Sequence, residues 1–287
     1  MASNREANMC ELLGMVASHP TDMVFSFTGL ALRGGQTGPH ADGWGLSLYD
    51  DRFARTFLEQ DPAHSSRLAR YLRENAIPTR LAIAHVRRMT RGVASLPNTH
   101  PFVRVSHNRH IVFAHNGTLP NVKERALYYE STLGDTDSEY AFCVLLEALR
   151  EAYGARYPED PRELGKTLFE LGNELGYDGI FNFLFADGQH LFARCGDSLH
   201  SIVRRAPFGP ATLVDAEVRV HFGEILSMAD DAKQAVVATA PLTRDEAWTR
   251  AAPGSLLVLS GGDVLHTFQP APGYMAPASK APPWQAA

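Results

Sequence analysis

Apolar positions change their period twice along this chain, and the changes divide it into three stretches. In the first, they fall in short runs or alternate as strands do. Leu12–Ala17 reads as a short buried strand, Trp44–Tyr49 alternates, Ala54–Leu58 can pair with it, and Leu81–Val86 and Ile111–Ala114 are two more apolar strands. Two helices interrupt this stretch. Phe25–Leu32 carries apolar residues at helical spacing and is stopped by Gly34–Gly35, while Ala63–Asn75 is polar and amphipathic. Arg33–His40 (RGGQTGPH) reads as a flexible glycine-rich loop, and the segment before Ile111 as an irregular loop ending in Leu96–Phe102.

The second stretch is helical. Asp137–Tyr153 places Tyr140, Val144, Leu145 and Ala148 on one stripe, and Arg162–Leu175 is a second helix ended by Gly176. The third returns to strands at Ile180–Ala186, Leu191–Arg194, Ser201–Val203, Val218–Phe222, Ala235–Thr239 and Leu256–Leu259, with Asp187–Gly188 as a hairpin turn. Strands, two long helices and strands again suit a layered α+β fold better than an alternating parallel sheet. The pattern alone does not separate a helix-covered single sheet from a four-layer sandwich.

Composition narrows the function classes. With 287 residues and 45% hydrophobic content the chain can bury a large core. A net charge of −5 advertises no surface for nucleic acid or membrane, and the apolar runs are too short to span a bilayer. The three cysteines, Cys10, Cys143 and Cys195, are odd in number and widely spaced. That argues against a disulfide framework and for a reducing compartment, hence a cytoplasmic location. Residues 1–9 are polar and expected to be a disordered extension; the domain is expected over residues 10–268, with a disordered Pro/Ala-rich tail over residues 269–287.

Cys10 precedes an apolar strand and, by itself, reads as a small buried hydrophobe. Met9 changes that reading. Translation from Met9 followed by loss of that methionine would leave Cys10 as the first residue, with residues 1–9 absent or removed in the active protein. A free α-amine has a reference pKa of about 7.7–8.0 against about 8.5 for the thiol, so it can take the thiol proton. His115-Asn116-Gly117 is a turn sequence that can also supply two oxyanion donors, the Asn116 side-chain amide and the Gly117 backbone N–H. Arg87, Arg88 and Arg91 follow the strand at Leu81, and arginine offers a bidentate fork for a carboxylate. His85, in the same segment, reads as a satisfied core histidine. The run Asp135-Thr136-Asp137-Ser138-Glu139 caps a helix, and one of its carboxylates can also bind an ammonium. Acid and arginine in separate places are what an α-amino acid requires.

Taken together, MCELLGM, FSFTGL, RGGQTGPH, DGWG, AHVRRMTRG, NTHPF, FAHNGTL, DTDSE, FNFLFADG, RRAPFG and VVATAPLT, in this order from Met9 to about His266, resemble the class II glutamine amidotransferase family and its stand-alone YafJ-like members. The resemblance implies a four-layer αββα sandwich of the N-terminal-nucleophile hydrolase type. It implies Cys10 as nucleophile, Asn116 and Gly117 as the oxyanion hole, Arg87 as the carboxylate ligand, Asp137 as the ammonium ligand, and Thr90 as a further substrate hydroxyl. Many members carry a tryptophan directly after the arginine; Arg88 stands there in this chain. Asn98, His100 and the DGWG glycines read as supports of nearby loops.

The implied reaction is hydrolysis of the side-chain amide of glutamine, or of a γ-glutamyl amide on another metabolite, through a Cys10 thioester that releases ammonia or amine. No metal or organic cofactor is expected, since the histidines are too scattered for a recognisable ligand spacing. Two other readings are an ammonia-supplying subunit that needs an acceptor enzyme and a ligand-binding subunit without turnover. The substrate is a small molecule, and neither nucleic acid nor membrane is expected as a partner.

Overall fold

The computed structural model describes residues 10–89, 94–177, 179–221 and 229–274. Its first half is built around β1 (Glu11–Thr21), α1 (Val24–Arg33), β2 (Trp44–Asp50), β3 (Phe53–Glu59), α2 (Arg67–Glu74) and β4 (Thr79–Val86). Next come β5 (Phe102–Ser106), β6 (Arg109–Thr118), α3 (Asp137–Tyr153) and α4 (Pro161–Leu175). The remainder is β7 (Ile180–Ala186), β8 (Leu191–Arg194), β9 (His200–Arg205), β10 (Pro210–Thr212), β11 (Arg219–His221), β12 (Lys233–Ala238), β13 (Thr249–Arg250), β14 (Leu256–Ser260) and β15 (Asp263–Phe268). One sheet has seven strands in the order β13-β9-β12-β1-β4-β2-β3, the other six in the order β15-β14-β8-β7-β6-β5, and β10-β11 form a separate hairpin. The pairs that set the site are antiparallel: β1 with β12 and β4, and β6 with β7.

Side-chain alternation shows why these strands stack as two sheets. On β1, Leu12 and Val16 join a cluster with Val112, Ala114, Leu184 and Ala186 of the other sheet, whereas Leu13 and Met15 pack with Phe27, Leu30 and Leu72 of α1 and α2. On β6 and β7 the opposite faces carry Phe113, Phe181, Phe183 and Phe185, which meet Phe142, Leu145 and Leu168 of α3 and α4. Each strand is thus apolar on both faces, as an inner layer must be. Three apolar layers between four tiers of elements make an αββα sandwich, the fold that the resemblance implies. Gly14 lets the sheets approach: a Cβ there would lie 2.8 Å from Leu191. Phe113 and Phe142 stack at 5.0 Å between ring centroids, so truncating either would cost about 3–5 kcal/mol.

Several boundaries differ from the sequence reading for local reasons. α2 starts at Arg67 rather than Ala63, because Ser66 is its N-cap and accepts from the Ala69 amide at 2.9 Å. Phe102 opens β5 instead of closing a loop. Arg33 belongs to α1 and is buried, and an isolated bridge between Gly34 and Pro39 closes the glycine-rich loop beyond it. The Val218–Phe222 expectation holds as the short β11; Phe222 lies outside the described residues. Residues 1–9 and 275–287 also lie outside them, while Tyr274 lies inside and accepts a hydrogen bond from Arg194 at 3.2 Å.

Candidate active site

Strand alternation also assembles the site. Leu81 and Ile83 of β4 face the layer between the sheets, so His85 and Arg87 continue that face. Val112 and Ala114 of β6 do the same, which puts Asn116 there. Leu12 extends back to Cys10, immediately before β1, and Leu12 is paired with His85. Three sequence-predicted residues from three strands therefore converge at one end of the inter-sheet layer.

The half-buried Cys10 is bracketed by Arg88, whose amide donates to Sγ at 3.2 Å and whose carbonyl accepts from it at 3.3 Å. Burial pushes the thiol up to about 11; the Arg88 amide and the Arg87 charge pull it down less strongly, and Asp137 adds to the rise. Cys143 and Cys195 are fully buried and face the carbonyls of Ser131 and Ala251, away from these groups.

Opposite Leu12, two residues after Cys10, stands Thr239, to which sequence reasoning assigned no role. Its hydroxyl accepts from the Leu12 amide at 2.9 Å and from the Asn116 Nδ2 at 3.4 Å. One hydroxyl thus ties the nucleophile strand to the expected oxyanion residue. Asn116 is fully buried, and its Oδ1 has no partner. Its carbonyl accepts from Asn182 Nδ2 at 3.2 Å, and the Asn182 Oδ1 in turn receives the amides of Gly196, Asp197 and Ser198. Gly117 adopts φ 148°, where a Cβ would stand 1.9 Å from the Ile180 carbonyl, so glycine is required. The only signals for Thr239 and Asn182 were their positions in VVATAPLT and FNFLFADG; a strand-end hydroxyl and a strand-interior asparagine do not announce their partners.

Arg87 is 7% exposed, and its Nη1 is buried without a hydrogen-bond partner. Among the described residues no acid lies within ion-pair distance of it. Its backbone is fixed by Gly43, whose carbonyl accepts the Arg87 amide at 2.8 Å, and by Asp42, whose amide donates to the Arg87 carbonyl at 3.0 Å. Asp137 is the first residue of α3, capped by Thr136. Its carboxylate accepts the amides of Leu119 at 2.7 Å and Ser138 at 2.9 Å, and no described cation pairs with it. Both Arg87 and Asp137 act on the Cys10 thiol through their charge. Thr90, the remaining expected substrate ligand, and Arg91 lie outside the described residues.

The surrounding contacts fix this end of the layer. Arg33 pairs with Glu11 at 2.7 Å and Asp215 at 2.6 Å and donates to the carbonyl of Pro241, which anchors the residue next to Cys10. Asn98 and Asp135 exchange two hydrogen bonds, which hold the loop before α3. His115 points to the helical side, with Nε2 at 3.2 Å from the Ile180 carbonyl and Nδ1 at 2.9 Å from Ser138 Oγ. A carbonyl only accepts, so Nε2 carries the proton and Nδ1 receives the Ser138 hydroxyl. His85 is buried as the sequence reading expects, but neither of its ring nitrogens makes a hydrogen bond of good geometry, the His115 backbone acting on it only slightly, and the ring nitrogens of His100 have no partner. Among the described residues no three His, Cys, Asp or Glu side chains are grouped as metal ligands. No helix there is long and apolar enough to cross a membrane.

Comparison with known proteins agrees with this architecture. The model of the class II glutamine amidotransferases matches residues 9–283. The YafJ protein of Escherichia coli (strain K12), provisionally named a glutamine amidotransferase, is 43% identical over 249 residues, covering 86% of this chain and 95% of its own. A protein of Haemophilus influenzae with the same provisional name is 35% identical over 257 residues, 90% of this chain and 86% of its own. The crystal structure of a predicted glutamine amidotransferase from Pseudomonas aeruginosa has a TM-score of 0.70 at 37% identity, over 90% of this chain and 100% of that one. The glutamine phosphoribosylpyrophosphate amidotransferase of B. subtilis, with a TM-score of 0.56 at 17% identity over 91% of this chain and 49% of that one, shares the fold. The layers are those of an N-terminal-nucleophile hydrolase. Within that class the chain belongs to the class II glutamine amidotransferase family.

Proposed function

We propose that this protein hydrolyses the side-chain amide of glutamine, or of a γ-glutamyl amide, through a thioester on Cys10. One observation carries the reading: a buried guanidinium without a described acid partner and a carboxylate without a described cation both act on the Cys10 thiol. The two unpaired charges suit the two ends of a zwitterionic α-amino acid, whose side chain this reading directs to the thiol. Arg87 and Asp137 hold the carboxylate and the ammonium. The sulfur attacks the amide carbon, and Asn116 with the Gly117 amide stabilises the oxyanion. The C–N bond breaks, and ammonia or amine leaves with the proton taken from the thiol. Water then cleaves the thioester to glutamate and restores the thiol.

The proton needs a base, because burial holds the thiol at about 11. In the chain as it stands, the Cys10 nitrogen is an amide and cannot serve. The reading therefore assigns the active protein a free Cys10 α-amine, on a catalytic domain of residues 10–268. The decisive experiment measures ammonia release from glutamine by a version beginning at Cys10, with Cys10→Ala as control. Absence of turnover over glutamine and a panel of γ-glutamyl amides would reject the proposal.

A further inference from the structure

The cluster behind Arg87 uses buried polar groups that the reaction above does not employ. His85 is wholly buried and His100 is 4% exposed, and their rings lie 4.3 Å apart between centroids. His85 precedes Arg87 by two residues, so both stand on the inter-sheet face of β4, with the histidine on the inner side. Phe102 backs the His100 ring at 4.5 Å. Access for His100 depends on Gly45, the residue of β2 paired with His85: a Cβ at Gly45 would lie 2.3 Å from the His100 carbonyl. None of the four ring nitrogens, nor Nη1 of Arg87, has a hydrogen-bond partner of good geometry, although the His115 backbone lies close enough to His85 to favour its protonation slightly.

We propose that His85 and His100 are positioning residues, which hold Arg87 toward the substrate's α-carboxylate and occupy the place from which an acid would neutralise it. The inference rests on Arg87 being the carboxylate ligand. Packing alone does not account for the choice of residues, since phenylalanine or leucine would fill the space without orphaned nitrogens and their desolvation penalty. Purely apolar residues would, however, press hydrocarbon against a buried guanidinium. A carboxylate would pair with it, and substrate would then have to displace that partner. Imidazole avoids both outcomes: it is polar, and here it stays uncharged. Burial first, then the charges of Arg87, His40 and His115, bring His85 down to about 3 against a smaller opposing effect of the His115 backbone, and burial, His85, His115 and Arg87 hold His100 well below its usual value. The groups of this face nearest Arg87 along β4 are thus polar but uncharged, and they leave its charge unneutralised for a ligand.

The test reads binding of the hydrolysis product to the version beginning at Cys10, so it does not depend on turnover, and no preceding residues share space with the ligand. Calorimetry compares L-glutamate with its α-amide, which lacks the carboxylate charge. Preference of the unmodified protein for glutamate by about tenfold or more tests the clamp itself. Its absence rejects the clamp reading before any histidine is changed. Given that preference, His85→Phe is expected to weaken glutamate about tenfold and leave the α-amide unchanged, whereas His85→Gln retains glutamate affinity within about threefold. His85→Glu, which supplies an internal carboxylate, should abolish the preference. Should His85→Phe fail to fold, His100→Leu against His100→Gln carries the same comparison. Parallel weakening of both ligands, or equal behaviour of the polar and apolar replacements, would show that the pair only fills space.

Discussion

Arg88 holds the Cys10 sulfur between its own amide, donating at 3.2 Å, and its own carbonyl, accepting at 3.3 Å. The carbonyl contact requires the proton on sulfur, and burial favours the same form by pushing the thiol up to about 11. A raised thiol pKa means little thiolate at neutral pH and more as pH rises. With residues 1–9 attached, alkylation of Cys10 by iodoacetamide should therefore accelerate about tenfold per pH unit from neutrality toward pH 11. A glutamine-like diazo-ketone should label Cys10, and Cys143→Ala and Cys195→Ala should leave that labelling intact. Label recovered on Cys143 by mass spectrometry would refute the assignment.

The substrate clamp predicts a division between KM and kcat. Arg87→Lys keeps a positive charge but loses the fork, so KM for glutamine should rise about tenfold with a smaller change in kcat. Asp137→Asn should act in the same direction through the ammonium. The Asp137 carboxylate also receives two backbone amides, so melting temperatures must be read alongside. Unchanged kinetics in both variants would reject the clamp.

Thr239 offers a test of how the oxyanion residue is held. Asn116→Ala should lower kcat by about 10²–10³, the loss typical of one oxyanion donor. Thr239→Val removes the hydroxyl shared by Leu12 and Asn116 and leaves the Leu12 amide without its partner, at a stability cost of about 1–3 kcal/mol. It should also lower kcat, and Thr239→Ser should restore both properties. Equal kcat in Thr239→Val and the unmodified enzyme would limit Thr239 to a structural part.

These predictions draw on residues of unequal legibility in the sequence. The limits of Asp137–Tyr153, Ile180–Ala186 and Leu191–Arg194 could be read directly, because long apolar stripes and a DG turn mark them. β5, β10, β13 and β15 could not: they are two to six residues long, and β13 and β15 include exposed positions. Their strand state comes from the neighbour they pair with, and a period cannot be read over so few residues. Cys10, Arg87, Asn116, Gly117 and Asp137 carry distinctive chemistry in motif order. Thr239 and Asn182 act through partners far away in the chain, and local sequence does not record those. His85 looked like an ordinary core histidine because burial was legible and the lack of a well-formed hydrogen bond was not.

The buried histidines should make the fold acid-sensitive above the carboxylate range. His85 titrates at about 3 in the fold against about 6.5 unfolded, and His100 and His115 are also lowered, chiefly by burial. Below about pH 6.5 the unfolded chain takes up protons that the fold refuses, so this contribution is fully present above that pH and declines as pH falls. Each such group lowers stability by about 1.4 kcal/mol per pH unit while its folded form stays neutral. Glu147 and Asp187, whose folded pKa values are depressed, lose their contributions only at lower pH. Urea unfolding between about pH 7 and pH 5 should show this slope, reduced in His85→Gln. A flat profile would mean that the histidines can take up protons in the fold.

The start of the chain provides the last test. Glu11 is fixed by Arg33, and Cys10 enters β1 at the end of the inter-sheet layer where Arg87 and Asn116 converge. A peptide continuing from the Cys10 nitrogen would leave β1 at that end. An acylated nitrogen has no basic lone pair for the thiol proton, and the preceding residues would share space with substrate. A version beginning at Cys10 should hydrolyse glutamine, while the full chain should fold with the same melting temperature within a few degrees, because residues 1–9 precede the core, but turn over at least about a hundredfold more slowly, the lower range for loss of a positioned base. The base also sets a pH dependence. Activity of the Cys10-start version should rise with pH through the amine pKa, about 7.7–8.0 in reference compounds, and level off above it. The full chain should show no such plateau. Matched assays decide the matter: equal rates and equal pH profiles, with intact mass confirming that residues 1–9 are still attached, would show that the amine is not the base, and a side chain or bound water near Cys10 would then have to take the proton.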